Sequence, residues 1–212
     1  MQKKSVDEMF SRFSKREPKP RIELHYSNNF TLFVAVVLSA QSTDKGVNKI
    51  TPDLFHEADN PFKMLLLGET RLKEHIKSIG LYNSKAKNII KACEIMVNKH
   101  NNQLPDNFDD LCALPGVGRK SANVLMNSLF GHHTIAVDTH VFRVSNRMGL
   151  CKTKTPDATE KALHKKIPAK WKNYAHHWLV LHGRYVCKAR NPMCSDCIVA
   201  DICEFKNRRV LP

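Results

Sequence analysis

The sequence has few of the features that mark membrane, secreted or β-rich proteins. Its longest largely apolar run, residues 30–38, is far shorter than the ~20 residues that a membrane span requires. Lys3 and Lys4 are followed by Asp7 and Glu8 rather than by an apolar segment, so no signal peptide is visible. Alternation of apolar and polar residues, the signal of a half-buried strand, is scarce. We therefore expect an intracellular, cytoplasmic protein without a membrane partner.

Positive charge is in clear excess. There are 34 Lys and Arg residues against 20 Asp and Glu, which gives a net charge of +14. Such a surplus favours a polyanionic partner, above all a nucleic acid. The 212 residues suffice for one large domain or two small ones with a buried core. Since disulfides are rare inside cells, the seven cysteines are predicted to be thiols or metal ligands.

Apolar residues recur at helical spacing along the whole chain, which predicts an all-α fold. A first amphipathic helix, with Met9 and Phe13 on its apolar face, is predicted to end before Pro18. Residues 30–38 predict a helix that is buried on all sides. Two triplets have the pattern of a helix start with an N-cap and a proline: Thr51-Pro52-Asp53 and Thr155-Pro156-Asp157. The further helices predicted are 70–79, 84–99, 108–113, 141–148 and 171–186.

A glycine-rich segment, Gly116-Val117-Gly118, lies between two predicted helices and is followed by Arg119 and Lys120. Glycine allows a tight turn and a close approach of the backbone to a ligand. The free N–H groups at the start of the next helix attract a phosphate. Lys120 would stand in the first turn of that helix, beside a bound nucleic-acid backbone. Taken alone, the motif is more often a plain turn with a solvated lysine, so the rest of the chain must decide.

Four of the seven cysteines lie close together, with the spacing C-x6-C-x2-C-x5-C. They are Cys187, Cys194, Cys197 and Cys203. Four thiolates at this density can close on one metal centre, and both zinc and an iron–sulfur cluster accept four cysteines. The spacing does not distinguish the two. The other three cysteines are scattered among apolar residues and are predicted to serve packing.

The hairpin, the lysine and the cysteine cluster together resemble the endonuclease III family of base-excision DNA glycosylases. This family belongs to the helix-hairpin-helix, Gly/Pro-rich, Asp-containing superfamily. The resemblance covers nearly the whole chain, because four segments occur in the family's order and at its separations. They are residues 38–44, 114–120, 136–143 and the segment from 182 into the four cysteines.

The resemblance implies two helical lobes. A six-helix lobe with the helix-hairpin-helix would comprise residues 21–131. Residues 1–20 and 132–212 would form the second lobe, in which the four cysteines hold a [4Fe–4S] cluster. DNA would bind in the groove between the lobes, where the hairpin and Asp138 would face each other.

The resemblance also implies the reaction, which is removal of an oxidised pyrimidine from double-stranded DNA followed by strand cleavage. Lys120 matches the family's nucleophile and would attack C1′ of the extruded nucleotide. The resulting Schiff base permits β-elimination, which breaks the bond to the 3′ phosphate. Asp138 matches the family's catalytic carboxylate. It also precedes a predicted helix, so it has the position of an N-cap.

The remaining DNA contacts are implied in the same way. Gln41 would fill the space left by the extruded nucleotide, and Leu81 would wedge into the opposite strand; packing against the next helix is the alternative for Leu81. His140 would contact the DNA backbone, or it is a simple surface histidine. Phosphate contacts are assigned to Gly116, Gly118, Arg119, Lys188 and Arg190.

Two other functions fit the sequence less well. The adenine-mismatch glycosylases of the same superfamily typically lack the lysine. A non-catalytic DNA-binding module would account for the charge and the glycines, but not for Lys120, Asp138 and the cysteines together. We therefore expect a monomeric, bifunctional glycosylase and abasic-site lyase of bacterial origin.

Overall fold

The fold of the computed structural model, which describes residues 1–205, is entirely helical over those residues. Its helices are α1 (Lys3–Arg16), α2 (Asn29–Ser39), α3 (Asp44–Glu57), α4 (Pro61–Ile76), α5 (Tyr82–Lys99), α6 (Phe108–Ala113), α7 (Arg119–Phe130), α8 (Thr139–Met148), α9 (Pro156–Lys166) and α10 (Ala169–Tyr185). The all-α prediction is confirmed. Within this range, no helix combines the length and the hydropathy needed to cross a bilayer. The chain divides into two compact units, Glu23–Phe130 and Met1–Ile22 with the segment from Gly131 onwards.

The unit Glu23–Phe130 is built around α2, which contacts α3, α5 and α7. Residues 30–38 are all buried, as predicted for this apolar segment. The helix begins with a capping box, because the Asn28 side chain accepts from the Thr31 N–H and the Thr31 hydroxyl accepts from the Asn28 N–H. A central apolar helix of this kind is the natural core of a six-helix unit.

The prediction that Thr51-Pro52-Asp53 starts a helix is wrong, because these residues lie in the middle of α3. The helix begins at Asp44, and the hydroxyl of its N-cap residue Thr43 accepts from the Gly46 N–H at 3.1 Å. Its buried residues Val47, Thr51 and Leu54 follow the i, i+4, i+7 spacing straight through the proline. Burial of this continuous face outweighs the single helix hydrogen bond that Pro52 removes.

The prediction of a helix at 70–79 recovered only the second half of α4. Asn60 caps the helix by accepting from the Lys63 N–H at 3.0 Å, and Pro61 occupies the first helical position. Gly68 interrupts the helix with φ 77° and ψ 162°. The left-handed φ at Gly68 explains why apolar periodicity breaks there and why the first half was missed.

In the other unit, α10 packs against both α1 and α8. The rings of Phe10 and Trp178 lie 6.0 Å apart, and the Trp178 indole N–H donates to the Glu17 carbonyl at 2.8 Å. This contact secures the end of α1. The second predicted helix start is confirmed, because the Thr155 hydroxyl accepts from the Ala158 N–H and Pro156 begins α9.

Candidate functional site

The glycine-rich segment forms a hairpin between α6 and α7. The Leu114 N–H donates to the Leu111 carbonyl at 3.2 Å and ends α6, and the Val117 N–H donates to the Leu114 carbonyl at 3.1 Å. Helix α7 then begins at Arg119. Lys120 is therefore the second residue of α7, and its side chain is exposed. The first N–H groups of α7 have no partner within the helix, as at any helix start.

The two glycines of the hairpin differ in what they require. Gly116 has φ 85°, and a Cβ placed there would lie 3.2 Å from Asn88 Cβ and 3.3 Å from Val37 Cγ1. Both its backbone conformation and its close packing on α2 and α5 therefore disfavour a side chain. Gly118 has ordinary backbone angles, and a Cβ there would meet nothing within 4 Å. Nothing inside the protein requires glycine at position 118.

Replacing Gly116 with alanine is expected to lower the free energy of unfolding by about 1–3 kcal/mol, because the variant combines left-handed strain with a steric overlap. Gly118→Ala is the matched control, and its stability should be equal to or slightly above that of the parent. Urea unfolding, followed by circular dichroism, measures both variants. Equal stability of the two variants would contradict the distinct roles assigned to the glycines.

Arg119 is anchored to the preceding helix rather than extending freely from the hairpin. Its guanidinium lies over the Phe108 ring, 5.3 Å from the ring centroid. A stacked arginine of this kind is held in one orientation. The contact therefore stiffens the hairpin at the first residue of α7.

Gln41 and Leu81 lie on neighbouring turns of the same unit. Both have left-handed backbones, with φ 54° at Gln41 and φ 60° at Leu81. The Gln41 carbonyl oxygen lies 3.8 Å from the point where a Cβ would stand on Gly80. Leu81 is 56% exposed, so more than half of its surface faces solvent. Two strained, exposed residues on adjacent turns are typical of a ligand-facing surface.

Asp138 is the N-cap of α8 in the other unit. Its carboxylate accepts from the Val141 N–H at 2.7 Å, which confirms the predicted capping geometry. The side chain is half-buried.

His140 and Arg143 link the first turns of α8 to the end of α10. His140 is half-buried, and its Nδ1 lies 3.3 Å from an Arg143 guanidinium nitrogen. Arg143 donates to the Gly183 carbonyl at 2.8 Å and to the Cys187 carbonyl at 3.2 Å. One guanidinium thus connects α8, α10 and the first cysteine of the cluster.

Arg147, one turn further along α8, holds the loop that follows Cys187. It donates to the Lys188 carbonyl at 2.7 Å and to the Ala189 carbonyl at 3.2 Å. Its NH1 also lies 3.6 Å from the Cys187 sulfur. The Lys188 and Arg190 side chains are exposed, so the loop is fixed through its backbone while its charges face solvent.

The four C-terminal cysteines line one cavity. Arg147 and His182 line it too, and His182 Nε2 lies 3.7 Å from the Cys197 sulfur. Burial lowers the pKa of His182 to about 4, so this ring is neutral at physiological pH. Among residues 1–205, no three His, Cys, Asp or Glu side chains converge closely enough for a single metal ion. An iron–sulfur cluster does not require its cysteine side chains to converge on one point, because each cysteine binds a different iron atom.

The donor set fits an iron–sulfur cluster. Burial raises the pKa of the Cys197 thiol, and the charges of the other three cysteines raise it further. Four thiolates facing one half-buried space therefore repel one another unless cationic iron lies between them. Arg147 adds a positive charge beside Cys187. The residues that would hold the cluster are Cys187, Cys194, Cys197 and Cys203.

A helical hairpin that can hold a phosphate, joined in one chain to a four-cysteine centre, defines a class of DNA repair protein. Residues 34–169 match the family model of the HhH-GPD superfamily base excision DNA repair proteins. Residues 187–203 match the iron–sulfur binding domain of endonuclease III. Relatives that match over nearly the full chain narrow this class further.

The chain is 55% identical to endonuclease III of Rickettsia conorii, covering 97% of this chain and 98% of that protein. It is 51% identical to endonuclease III of Escherichia coli, over 95% of each chain. A solved structure of a trapped endonuclease III–DNA covalent intermediate matches with a TM-score of 0.89, at 41% identity and 96% coverage of both chains. A structure of a non-covalent endonuclease III–DNA complex matches equally well. The chain belongs to the endonuclease III family.

The family membership confirms several predictions. The protein is a DNA-binding enzyme, a DNA glycosylase with abasic-site lyase activity. The cofactor is an iron–sulfur cluster of the [4Fe–4S] type, which is the cluster of this family. The zinc alternative and the non-catalytic binding module are therefore excluded. Three positioning side chains were missed from sequence, namely Lys85, Arg143 and Arg147, because their partners lie about 40 or more residues away.

Proposed function

We propose that this enzyme excises oxidised pyrimidines from double-stranded DNA and then cleaves the strand 3′ to the abasic site. The observation that carries the proposal is the exposed Lys120 in the first turn of α7, directly after the hairpin. The Lys120 amine attacks C1′, and the bond from C1′ to the base breaks. The base leaves with the electron pair and takes up a proton. Opening of the sugar ring then gives an iminium between C1′ and Lys120.

The second step uses the same iminium. It acidifies the proton on C2′, and loss of that proton expels the 3′ phosphate by β-elimination. Water as the nucleophile provides no iminium, so the lysine accounts for the lyase step. We assign to Asp138 the stabilisation of the positive charge that develops at C1′ and a part in moving protons.

The DNA contacts follow from the surfaces described above. Gln41 occupies the space of the extruded nucleotide, and Leu81 unstacks the opposite strand. Gly118 brings its backbone close to a phosphate, which explains a glycine that neither strain nor packing requires. The Gly118→Ala variant therefore tests this contact, because it should keep its stability and lose DNA affinity. Gly116 and Arg119 support the same phosphate.

Two further contacts are assigned to the other unit. The exposed Lys188 and Arg190 bind a second phosphate on a loop that Arg147 fixes. His140 contacts the DNA backbone while Arg143 restrains its ring. In this proposal the protein acts as a monomer in the bacterial cytoplasm, on the DNA of the nucleoid. The lobe of residues 21–131 carries the nucleophile, and the cluster lobe of residues 1–20 and 132–212 carries the carboxylate.

A panel of defined duplexes tests the substrate class. Each duplex carries one lesion, namely an oxidised pyrimidine, an oxidised purine, an adenine mismatch or an abasic site. Base release and strand cleavage are scored separately under single turnover. We expect base release mainly from oxidised pyrimidines and cleavage at the abasic site. Preferred release of adenine or of an oxidised purine would contradict the proposed substrate.

A further inference from the structure

Lys85 is a buried lysine whose side chain and backbone hold two different turns. It lies on α5 and is only 5% exposed. Its ammonium donates to the Leu38 carbonyl at 2.9 Å and to the Ser42 hydroxyl at 2.8 Å. Its backbone N–H donates to the Leu81 carbonyl at 3.0 Å. Lysine is almost never fully buried unless its ammonium is hydrogen-bonded or paired. The two side-chain bonds of Lys85 therefore point to a specific role for this residue.

The side-chain contacts stabilise the end of α2. That helix has no basic residue in its last turn to offset the negative end of its dipole. The Val36 carbonyl accepts from the Ser39 hydroxyl, and the Ser39 carbonyl accepts from the Ser42 N–H. The Leu38 carbonyl instead receives the ammonium from α5. The Lys85 side chain, which belongs to α5, therefore caps the C-terminal end of α2.

The turn after α2 is the one that carries Gln41. Ser42 follows Gln41 directly, so the bond from Lys85 to the Ser42 hydroxyl restrains the strained residue before it. On the other side, the backbone bond from Lys85 fixes the carbonyl of Leu81, which is strained as well. Left-handed non-glycine residues persist only where the surroundings hold them. Lys85 is thus bonded to both strained turns and restrains their positions relative to each other.

We propose that Lys85 is a positioning residue that keeps the Gln41 and Leu81 turns in register, so that both act on the duplex at once during base extrusion. This inference rests on the proposed roles of Gln41 and Leu81. It adds a requirement for duplex DNA specifically. Single-stranded DNA has no paired base to displace and no opposite stack to open, so Lys85 should matter little there.

The test compares Lys85→Met with the parent enzyme on two abasic substrates, a duplex and the same strand alone. Methionine matches the stem of lysine as far as Cε but has no ammonium to donate, while the backbone bond to Leu81 remains. We expect the ratio of duplex to single-strand cleavage rates to fall about 10- to 100-fold, in line with the loss of charge-assisted hydrogen bonds. Lys91→Met, at an exposed position of α5, is the charge-matched control and should keep the parental ratio.

A second variant and a fluorescence measurement test the same role of Lys85. Ser42→Ala removes one partner only and should lower the same ratio several-fold, which covers the case of a poorly folded Lys85→Met. 2-Aminopurine placed opposite the lesion should brighten less with either variant, because extrusion is incomplete. An equal loss on both substrates means a purely structural role and overturns the inference. A parent enzyme inactive on both substrates would instead overturn the proposed function.

Discussion

Replacing Lys120 with alanine is expected to abolish borohydride trapping of a covalent enzyme–DNA adduct. Reduction by borohydride captures the iminium, and alanine cannot form one. Strand cleavage at an abasic site should fall by several orders of magnitude, as for the loss of other covalent nucleophiles. The measurement is the yield of cross-linked complex on a denaturing gel, with cleavage rates taken under single turnover.

Lys45 offers a matched control for this variant. It is also the second residue of its helix and is also exposed. Lys45→Ala removes the same charge from an equivalent helix position, so it separates loss of the nucleophile from loss of electrostatic attraction to DNA. We expect Lys45→Ala to trap the adduct with nearly the parental yield. An undiminished adduct with Lys120→Ala would end the assignment of the nucleophile.

The second large effect is expected from Asp138→Asn. Asparagine caps helices about as well as aspartate, so the bond to the Val141 N–H and the stability of α8 should remain. Only the negative charge is lost. Base excision should therefore slow about 10²- to 10³-fold if that charge stabilises the sugar in the transition state. Single-turnover base release and the urea unfolding midpoint together measure the two consequences.

Thr155→Ala is the control for the capping component. It removes an equivalent N-cap in the same unit and should cost about 1 kcal/mol of stability without slowing base release. Asp138→Ala combines both losses. If Asp138→Asn keeps the full excision rate, the carboxylate serves only as a cap and another group must stabilise the developing charge.

The sequence predicted those parts of the molecule that depend on short-range patterns. The hairpin was found because its glycines, lysine and following helix are contiguous, and the cysteine centre because four thiols lie within one short segment. Thr155-Pro156-Asp157 was predicted correctly and Thr51-Pro52-Asp53 was not. The local signals of the two triplets are the same. Thr51-Pro52-Asp53 lies inside a helix rather than at its start because Val47 and Leu54, on either side of it, are buried on one continuous helix face.

What the sequence could not show are the side chains whose partners are distant along the chain. Lys85 has the local pattern of an ordinary helical lysine, yet its ammonium reaches Leu38 across 47 positions. Arg143 has the pattern of a solvated residue on an amphipathic helix, yet it bonds a carbonyl 40 positions away. These contacts exist only once the helices pack, so no periodicity or motif encodes them.

Helix α8 connects two features of the proposed site. The carboxylate of Asp138 caps its first turn, and arginines further along the helix bind the loop that begins at Cys187. The helix has ten residues, about 15 Å of rigid rod. Arg143 and Arg147 fasten that rod to the polypeptide around Cys187. A displacement of the loop around Cys187 would therefore also move the helix that Asp138 caps.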